Sequence, residues 1–514
     1  MRLAPTRFVS SADHAVELLH SLRGAGFQAA EATRVTFTVL DTIDGRLHRN
    51  GLRLVATGPG TWSLSLTDAA ISRGTVMTDV LPLRASDLPE GALRDVVMAA
   101  VGERLLLAQA TVVASRIEAS RRRPSGVLQS LVTIDENLHL AGRRKAIAST
   151  VTVHRVPGRG KLRRRVEALC AEVGLEALSG DVVTMVVEKA GVDLSGVPRS
   201  PAPVFDDSVT ALAGFREVLT HLFRAVDGNL KAATDSRDPA FVHGLRVATR
   251  RSRSVLTEGK TVVPREALTT ATAGLGLLGA CTGPARDLDV YLDEWDGYVA
   301  SFAEETVAAL GPVKALLETR RRAAYDDLAI ALRSSDMKRF VRDWGKWLRK
   351  PVTSRSLSHA PDSHRDLAEF VVERIERAHL TLLENGRLIT DDSPAIQVHA
   401  LRRDAKRLRY LLECFGALLP AKATKQFVRR LKSLQDNLGA HQDADVHATQ
   451  LAALAQHPDA QHLSETTVAA TAVLVRHLQQ QCHAARTEFN ARFAQYDSPD
   501  THAALIGILV VESI

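Results

Sequence analysis

Two stretches of the chain place a histidine at the head of a row of basic residues. The first reads VHGLRVATRRSR from residue 242, and the second reads VHALRRDAKRLR from residue 398. On a helix with 100° between successive residues, the basic side chains of each stretch share one face, opposite an apolar face. Arginine binds phosphate oxygens through its planar guanidinium group, and a histidine donates one more hydrogen bond. The pattern therefore predicts a site for a polyanion.

We call these two faces the first and second basic stripes. The first basic stripe is His243, Arg246, Arg250 and Arg253, and the second is His399, Arg402, Lys406 and Arg409, with Tyr410 on the same face. Arg251 and Arg407 lie on the flanks and are predicted to bind the same anion. Few carboxylates are available to neutralise the stripes, because Glu258 and Glu413 lie beyond them.

The two stripes belong to an internal duplication. Residues 242–291 align without gaps to residues 398–447 with 15 identities in 50 positions, where about three are expected by chance. A single basic run is usually a solvated helix face, but the retention of the basic pattern in both copies favours a binding role. The duplication also predicts two similar helical bundles related by a pseudo-twofold axis.

A second motif is repeated as GPARDLDV from residue 283 and GAHQDADV from residue 439. Gly283 and Gly439 are predicted to end one helix, and the aspartates to open the next. Asp287 and Asp443 then either cap a helix or orient arginines of the stripes. A metal site at His441, Asp443, Asp445 and His447 is disfavoured, because the first copy has Ala285 and Tyr291 in place of the histidines. We predict no metal and no cofactor.

The remaining sequence divides into two regions of different character. Residues 1–190 alternate β-rich segments with helical ones, residues 191–204 are a linker rich in Gly, Pro and Ser, and residues 205–514 have helical periodicity throughout. The fold class is therefore predicted as α+β. The four cysteines form no CxxC pair, which favours reduced thiols and a cytoplasmic protein. The longest carboxy-terminal apolar run, AALIGILVV, is too short to span a bilayer, and no membrane partner is predicted.

With both histidine motifs and both aspartate motifs in order, residues 205 to about 510 resemble the CHAD family, the conserved-histidine α-helical domain. The resemblance implies two pseudo-symmetric four-helix bundles around a basic channel that binds inorganic polyphosphate. It also implies association with polyphosphate granules in some members. The stripe and flanking residues named above match the family's basic positions. Further basic residues that the resemblance places along the same channel are Lys338, Arg339, Arg342 and Lys432.

The run from Asp41 to Leu54, DTIDGRLHRNGLRL, resembles the CYTH family, the triphosphate tunnel enzymes, and Lys189 matches that family's closing lysine. The resemblance implies an antiparallel β-barrel that acts on triphosphates with a divalent metal. The acidic pairs that hold such a metal are missing here, since RLAPTRF opens the chain and Thr150 and Thr152 stand where acids are expected. We therefore interpret this region as a degenerate, inactive CYTH-like domain that retains Arg53 and Arg116 as phosphate contacts. Anion binding, scaffolding and dimerisation stay open as its role, and residues 154–165 form either a solvated turn or a second polyanion contact.

The sequence thus predicts a non-catalytic protein that binds inorganic polyphosphate, with granule targeting as one purpose. One alternative is a metal-dependent triphosphatase or polyphosphatase in the amino-terminal barrel. A second alternative, nucleic-acid binding, is disfavoured because aromatic residues for base stacking make up 4% of the chain.

Overall fold

The computed structural model of the chain describes residues 6–10, 13–58, 62–68, 71–78, 84–102, 104–143, 145–178, 181–192, 194–196, 203, 205, 209–350, 359–455 and 462–509. The chain divides into two compact units, Met1–Val197 and Pro198–Ile514. The predicted opening segment RLAPTRF lies partly outside the described residues. Within the described part, no helix has the length and apolar character needed to cross a membrane.

The first unit is built on an antiparallel sheet, as the sequence predicts. Its ten described strands are β1 (Thr6–Ser10), β2 (Gln28–Ala29), β3 (Thr33–Asp41), β4 (Leu52–Thr57), β5 (Trp62–Asp68), β6 (Ile71–Thr78), β7 (Leu107–Arg122), β8 (Leu128–Leu140), β9 (Ala148–His154) and β10 (Glu176–Ala177). The main order is β10-β1-β9-β8-β7-β3-β4-β5-β6, and β2 pairs with β7. Among these described strands no pairing joins β6 to β10, so the sheet is an open half-barrel rather than a closed barrel.

Helices cover both faces of this sheet because its strands alternate apolar residues between the faces. The helices of the unit are α1 (Asp13–Gly24), α2 (Arg46–Arg49), α3 (Ala92–Val101), α4 (Gly160–Glu172) and α5 (Val182–Lys189). Leu18 of α1 and Val166 of α4 share a core with Val151 of β9. Val186 of α5 packs on the other face, in a core that includes Val112 of β7.

The described part of the second unit consists of two successive sets of five helices. The first set is α6 (Ala211–Asp235), α7 (Pro239–Glu258), α8 (Arg265–Val299), α9 (Glu304–Arg333) and α10 (Ser335–Arg349). The second set is α11 (Leu367–Arg387), α12 (Ala395–Cys414), α13 (Ala421–Ala455), α14 (Glu465–Tyr496) and α15 (Pro499–Leu509). The bounds of α7 and α8 recur 156 residues later as those of α12 and α13. Each half therefore has four longer helices, as predicted, and a shorter fifth helix.

The prediction that Gly283 and Gly439 end helices is wrong. Both lie inside 35-residue helices, α8 and α13, and neither has a positive φ. A glycine inside a helix costs only about 1 kcal/mol, and these helices bury apolar residues on both sides of it, such as Leu278 and Tyr291 on α8. Asp287 and Asp443 are consequently mid-helix residues, so the capping role is excluded and the orienting role remains.

Candidate functional site

The stripe helices are fixed by ordinary amphipathic packing. Val242, Leu245 and Leu256 of α7 are buried, and the basic positions lie on the other side of the helix. The Asp238 side chain accepts a hydrogen bond of 2.8 Å from the Ala240 amide and caps the amino-terminal end of α7. In the second half, Leu401, Leu408 and the residues around them anchor α12 in the same manner. Each stripe therefore lies on the side of its helix that faces away from the apolar core of that half.

The two basic stripes converge on one region. Lys406 of the second stripe experiences the charges of Arg402 on its own helix and of Arg250 and Arg246 on α7. Burial, reinforced by these cations, lowers the pKa of Lys406 to about 8. The Nε atoms of Arg250 and Arg402 are buried and have no hydrogen-bond partner among the described residues. Such a group of cations is costly in the absence of an anion.

The repeated aspartates pair with equivalent arginines of the two stripes. Arg402 Nη2 donates to Asp443 Oδ1 at 3.0 Å, and Arg246 Nη2 lies 3.5 Å from Asp287 Oδ1. Gly283 and Gly439 face these same arginines, because a Cβ atom at Gly283 would lie 3.4 Å from Arg246 Nη1. The repeated Gly and Asp thus make room for one stripe arginine in each half and orient it.

Each histidine that begins a stripe interacts with the residue preceding the repeated aspartate, through a hydrogen bond in one half and through charge in the other. His399 Nδ1 donates to Gln442 Oε1 at 2.5 Å. In the first half the equivalent of Gln442 is Arg286. Partial burial, together with the charge of Arg286, lowers the pKa of His243 below its ordinary value. Arg286 is therefore a basic residue of the site that sequence reasoning missed, and its alignment with another long polar side chain was the available signal.

A pseudo-twofold axis relates the two halves. Tyr291 and His447 occupy equivalent positions on α8 and α13, and their rings stack with centroids 4.4 Å apart. Equivalent residues contact each other only next to such an axis. His447 Nδ1 also lies 2.7 Å from the Tyr298 hydroxyl. Within the described residues, no group of three His, Cys, Asp or Glu side chains suited to a metal occurs.

These observations agree with the comparison to known families. Residues 217–452 match the family model of the CHAD domain. The chain carries a CHAD domain. No protein in the curated set matches the chain.

Three solved structures resemble parts of the chain. The CHAD domain from the plant Ricinus communis is 25% identical, has a TM-score of 0.49, and the match covers 59% of this chain and 96% of that one. PptA from Streptomyces chartreusis is 17% identical, with a TM-score of 0.43 and coverage of 56% and 100%. HpAC1 from Hippeastrum, a protein with a dominant triphosphatase activity, is 14% identical, with a TM-score of 0.26 and coverage of 36% and 95%. At these values, none of the three bears on what this chain binds.

Arg251 and Arg407, on the flanks of the stripes, join the two halves of the CHAD domain. Arg251 of α7 donates to Glu413 of α12, with Nη2 2.6 Å from Oε2. In return, Arg407 of α12 pairs with Glu258 of α7. Arg409 also binds Glu413, at 2.6 Å. The expectation that these glutamates lie too far away is wrong, because the reciprocal packing of α7 and α12 brings each one to an arginine of the other half.

The remaining predicted site residues lie on other helices. Lys338, Arg339 and Arg342 are exposed on α10, which packs on α6, α8 and α9. Arg339 pairs with Asp336 at 3.1 Å, and Arg342 pairs with Asp343 at 2.9 Å. Lys432 is exposed on α13. Within the described residues, no interaction joins these four side chains to the stripes.

Two arginines of the first unit are held by that unit's own atoms. Arg116 donates Nε and Nη2 to the two carboxylate oxygens of Asp135 at 2.7 and 2.9 Å, and its guanidinium group lies over Phe37. Arg53 Nη1 donates to the carbonyl oxygens of His48 and Leu52. Their predicted availability as phosphate contacts is therefore reduced. Most of the basic segment 154–165 is a turn followed by the start of α4.

Because the pKa of Lys406 is low, the affinity of the stripes for any anion should depend on pH. Lys406 carries its charge below about pH 8 in the free protein and loses it above, whereas a bound anion favours the charged form and raises the pKa. We therefore expect the affinity for an anion bound by the stripes to fall as the pH rises from 8 towards 10. Titrations at constant ionic strength measure this profile.

The control for this profile is Lys406→Arg, which stays charged over the whole range. It retains the affinity of the unaltered chain at pH 7 and flattens the profile, whereas Lys406→Gln binds weakly at every pH. An identical fall in the unaltered chain and in Lys406→Arg would exclude Lys406 as the titrating group.

Proposed function

We propose that the CHAD domain binds inorganic polyphosphate in a basic channel between its two stripes and leaves the ligand chemically unchanged. The observation that carries the proposal is the convergence of Arg246 and Arg250 with Arg402 and Lys406. The two aspartates of this region offset only part of that charge. A bound chain of phosphates supplies acceptors for the basic groups of the stripes and neutralises the cations.

The arrangement suits a flexible chain of phosphates better than a nucleic acid. Residues three and four positions apart on a helix lie about 5–6 Å from each other, so each stripe offers a row of closely spaced donors. Binding of single-stranded nucleic acid usually requires aromatic rings on which bases stack. Tyr410, beside the second stripe, already lies under Arg251 at 6.0 Å. Association with polyphosphate granules follows from the same proposal.

Competition tests this selectivity. The fluorescently labelled chain is titrated with long-chain polyphosphate, and single-stranded RNA is then added at equal phosphate concentration. We expect RNA to displace little of the polyphosphate, and the affinity to fall steeply with salt because bound counterions are released. Full displacement by RNA would refute a channel selective for polyphosphate.

We further propose that the first unit does not hydrolyse triphosphates. Thr150 and Thr152 of β9 cannot act as acidic metal ligands, and Asp135 neutralises Arg116. Incubation of the full chain with tripolyphosphate and Mg²⁺ or Mn²⁺ should therefore release no phosphate above background. Turnover that disappears in Arg116→Gln would overturn this assignment, whereas turnover unaffected by that change would indicate a contaminating enzyme.

A further inference from the structure

A small cavity lies behind the stripe on α12. It has a volume of about 240 Å³ and is lined by the carboxy-terminal end of α7 and the residues after it, by α11 and by α12. Its charged lining residues are Lys260, Arg374, Arg377, Arg407, Glu258 and Asp404. Four cations therefore face two carboxylates in a space that neither the stripes nor the aspartate motifs account for.

Both lining carboxylates already have partners. Glu258 pairs with Arg407, and Asp404 Oδ2 accepts a hydrogen bond of 2.9 Å from the side-chain amide of Asn385. Lys260 is exposed, and no hydrogen bond or ion pair to it occurs among the described residues. The excess positive charge of the cavity is therefore not cancelled by its own acids.

The Arg374 side chain is held in place, but its guanidinium group lacks a full set of hydrogen-bond and ion-pair partners. Its guanidinium group lies over the Phe370 ring at 4.7 Å, and its side chain is only 15% exposed. Its carboxylate neighbour, Glu373, is 3.7 Å away and also receives Arg377 at 3.2 Å and Arg365 at 2.8 Å. The Nε atom of Arg374 is buried and lacks a hydrogen-bond partner among the described residues. Arg374 thus lines the cavity as a rigid guanidinium group that shares its one carboxylate with two other arginines, and such a group is suited to binding an oxyanion.

The duplication does not explain this cavity. The positions 156 residues before Arg374 and Asp404 are Val218 and Ala248, which are both buried apolar residues. The position 156 residues after Lys260 is Gly416. The Arg407–Glu258 pair does have a counterpart, Arg251–Glu413, in the other half. Lys260, Arg374 and Asp404 have no charged equivalent, so their part of the lining belongs to one side of the pseudo-twofold axis.

We propose that this cavity binds a small phosphate oxyanion, either inorganic phosphate or pyrophosphate, through Arg374 and Lys260. Pockets for drug-sized ligands and cofactors usually measure about 300–1,000 Å³, so this cavity suits one or two phosphate groups rather than a nucleotide. Arg407 lines the same cavity and also joins the two halves. An anion in the cavity would therefore lie beside the Arg407–Glu258 ion pair, which holds the two halves and their stripes together.

The test uses the full chain with its stripes neutralised by Arg246→Gln, Arg402→Gln and Lys406→Gln, so that the channel does not compete. Calorimetric titrations with orthophosphate and with pyrophosphate identify which is preferred. We expect one saturable site, whose affinity drops at least tenfold after the further changes Lys260→Gln and Arg374→Gln. The charge-matched changes Lys231→Gln and Arg492→Gln, at exposed positions elsewhere, leave it unaltered. Absence of a saturable site, or equal loss in the matched control, would disprove the proposal.

A second variant covers the case in which these changes disturb folding. Ala378 lines the cavity, and Ala378→Leu fills it in the otherwise unaltered chain without changing any charge. Pyrophosphate added to this variant should bind with one site fewer than in the unaltered chain, while affinity for long-chain polyphosphate stays within twofold. An unchanged number of pyrophosphate sites would contradict the assignment, whatever the stripes bind.

Discussion

Replacement of Arg246, Arg250, Arg402 and Lys406 together by glutamine should reduce the affinity of the chain for long-chain polyphosphate by more than about 100-fold. Hydrogen bonds to charged groups contribute about 1.5–3 kcal/mol each, so the loss of two such contacts already exceeds this factor. The fold should survive, because the substitutions remove mutual repulsion between cations. The aspartates left behind, Asp287 and Asp443, are 48% and 40% exposed and remain hydrated.

Fluorescence titration measures this loss, and circular dichroism confirms that the helices persist. The control variant removes four positive charges at exposed positions of the same unit: Lys231→Gln, Arg237→Gln, Lys314→Gln and Arg492→Gln. It should lose less than about tenfold. A third variant, Lys338→Gln with Arg342→Gln, tests whether α10 contributes to binding. If the stripe and control variants lost affinity equally, binding would depend on the general surface charge and not on the stripes.

The positions of the stripes could be predicted because they depend only on helical geometry within one helix. The apolar spacing of residues 239–258 determines which side of α7 is buried, and the basic side chains then occupy the other side. The ungapped duplication extends this result to α12. The pairing of Asp287 and Asp443 with arginines was foreseen as one of two alternatives for the same reason, since the motif is repeated with its stripe.

The reciprocal ion pairs could not be predicted, because they depend on how the two halves pack. Glu413 is 162 residues from Arg251, and Glu258 is 149 residues from Arg407. No periodicity within either helix indicates these contacts. Gly283 shows a different limit, because its local preference for a helix end is overridden by the packing of a long helix. Local residue preferences therefore predict where a helix ends only if tertiary packing does not favour a longer helix.

The ion pair between Arg407 and Glu258 allows the effect of Arg407 on stability to be measured separately from its effect on binding. Arg407→Met should lower the free energy of unfolding by about 1–3 kcal/mol, because it leaves the Glu258 carboxylate, whose side chain is 6% exposed, without its ion-pair partner. Chemical denaturation followed by circular dichroism measures this change. The same substitution at Arg403, which is exposed on the same helix, should change the free energy by less than about 0.5 kcal/mol.

The double variant Arg407→Met with Glu258→Met should recover most of the lost stability, since a buried ion pair can be replaced by apolar side chains at little cost. Its affinity for polyphosphate then decides between two roles for Arg407. The sequence pattern assigns Arg407 to the anion, which requires the double variant to bind at least tenfold more weakly than the unaltered chain. The pairing with Glu258 assigns it to the contact between the halves, which requires the affinity to stay within about threefold. We expect the second result, because the ion pair with Glu258 holds the Arg407 guanidinium group at the contact between the two halves.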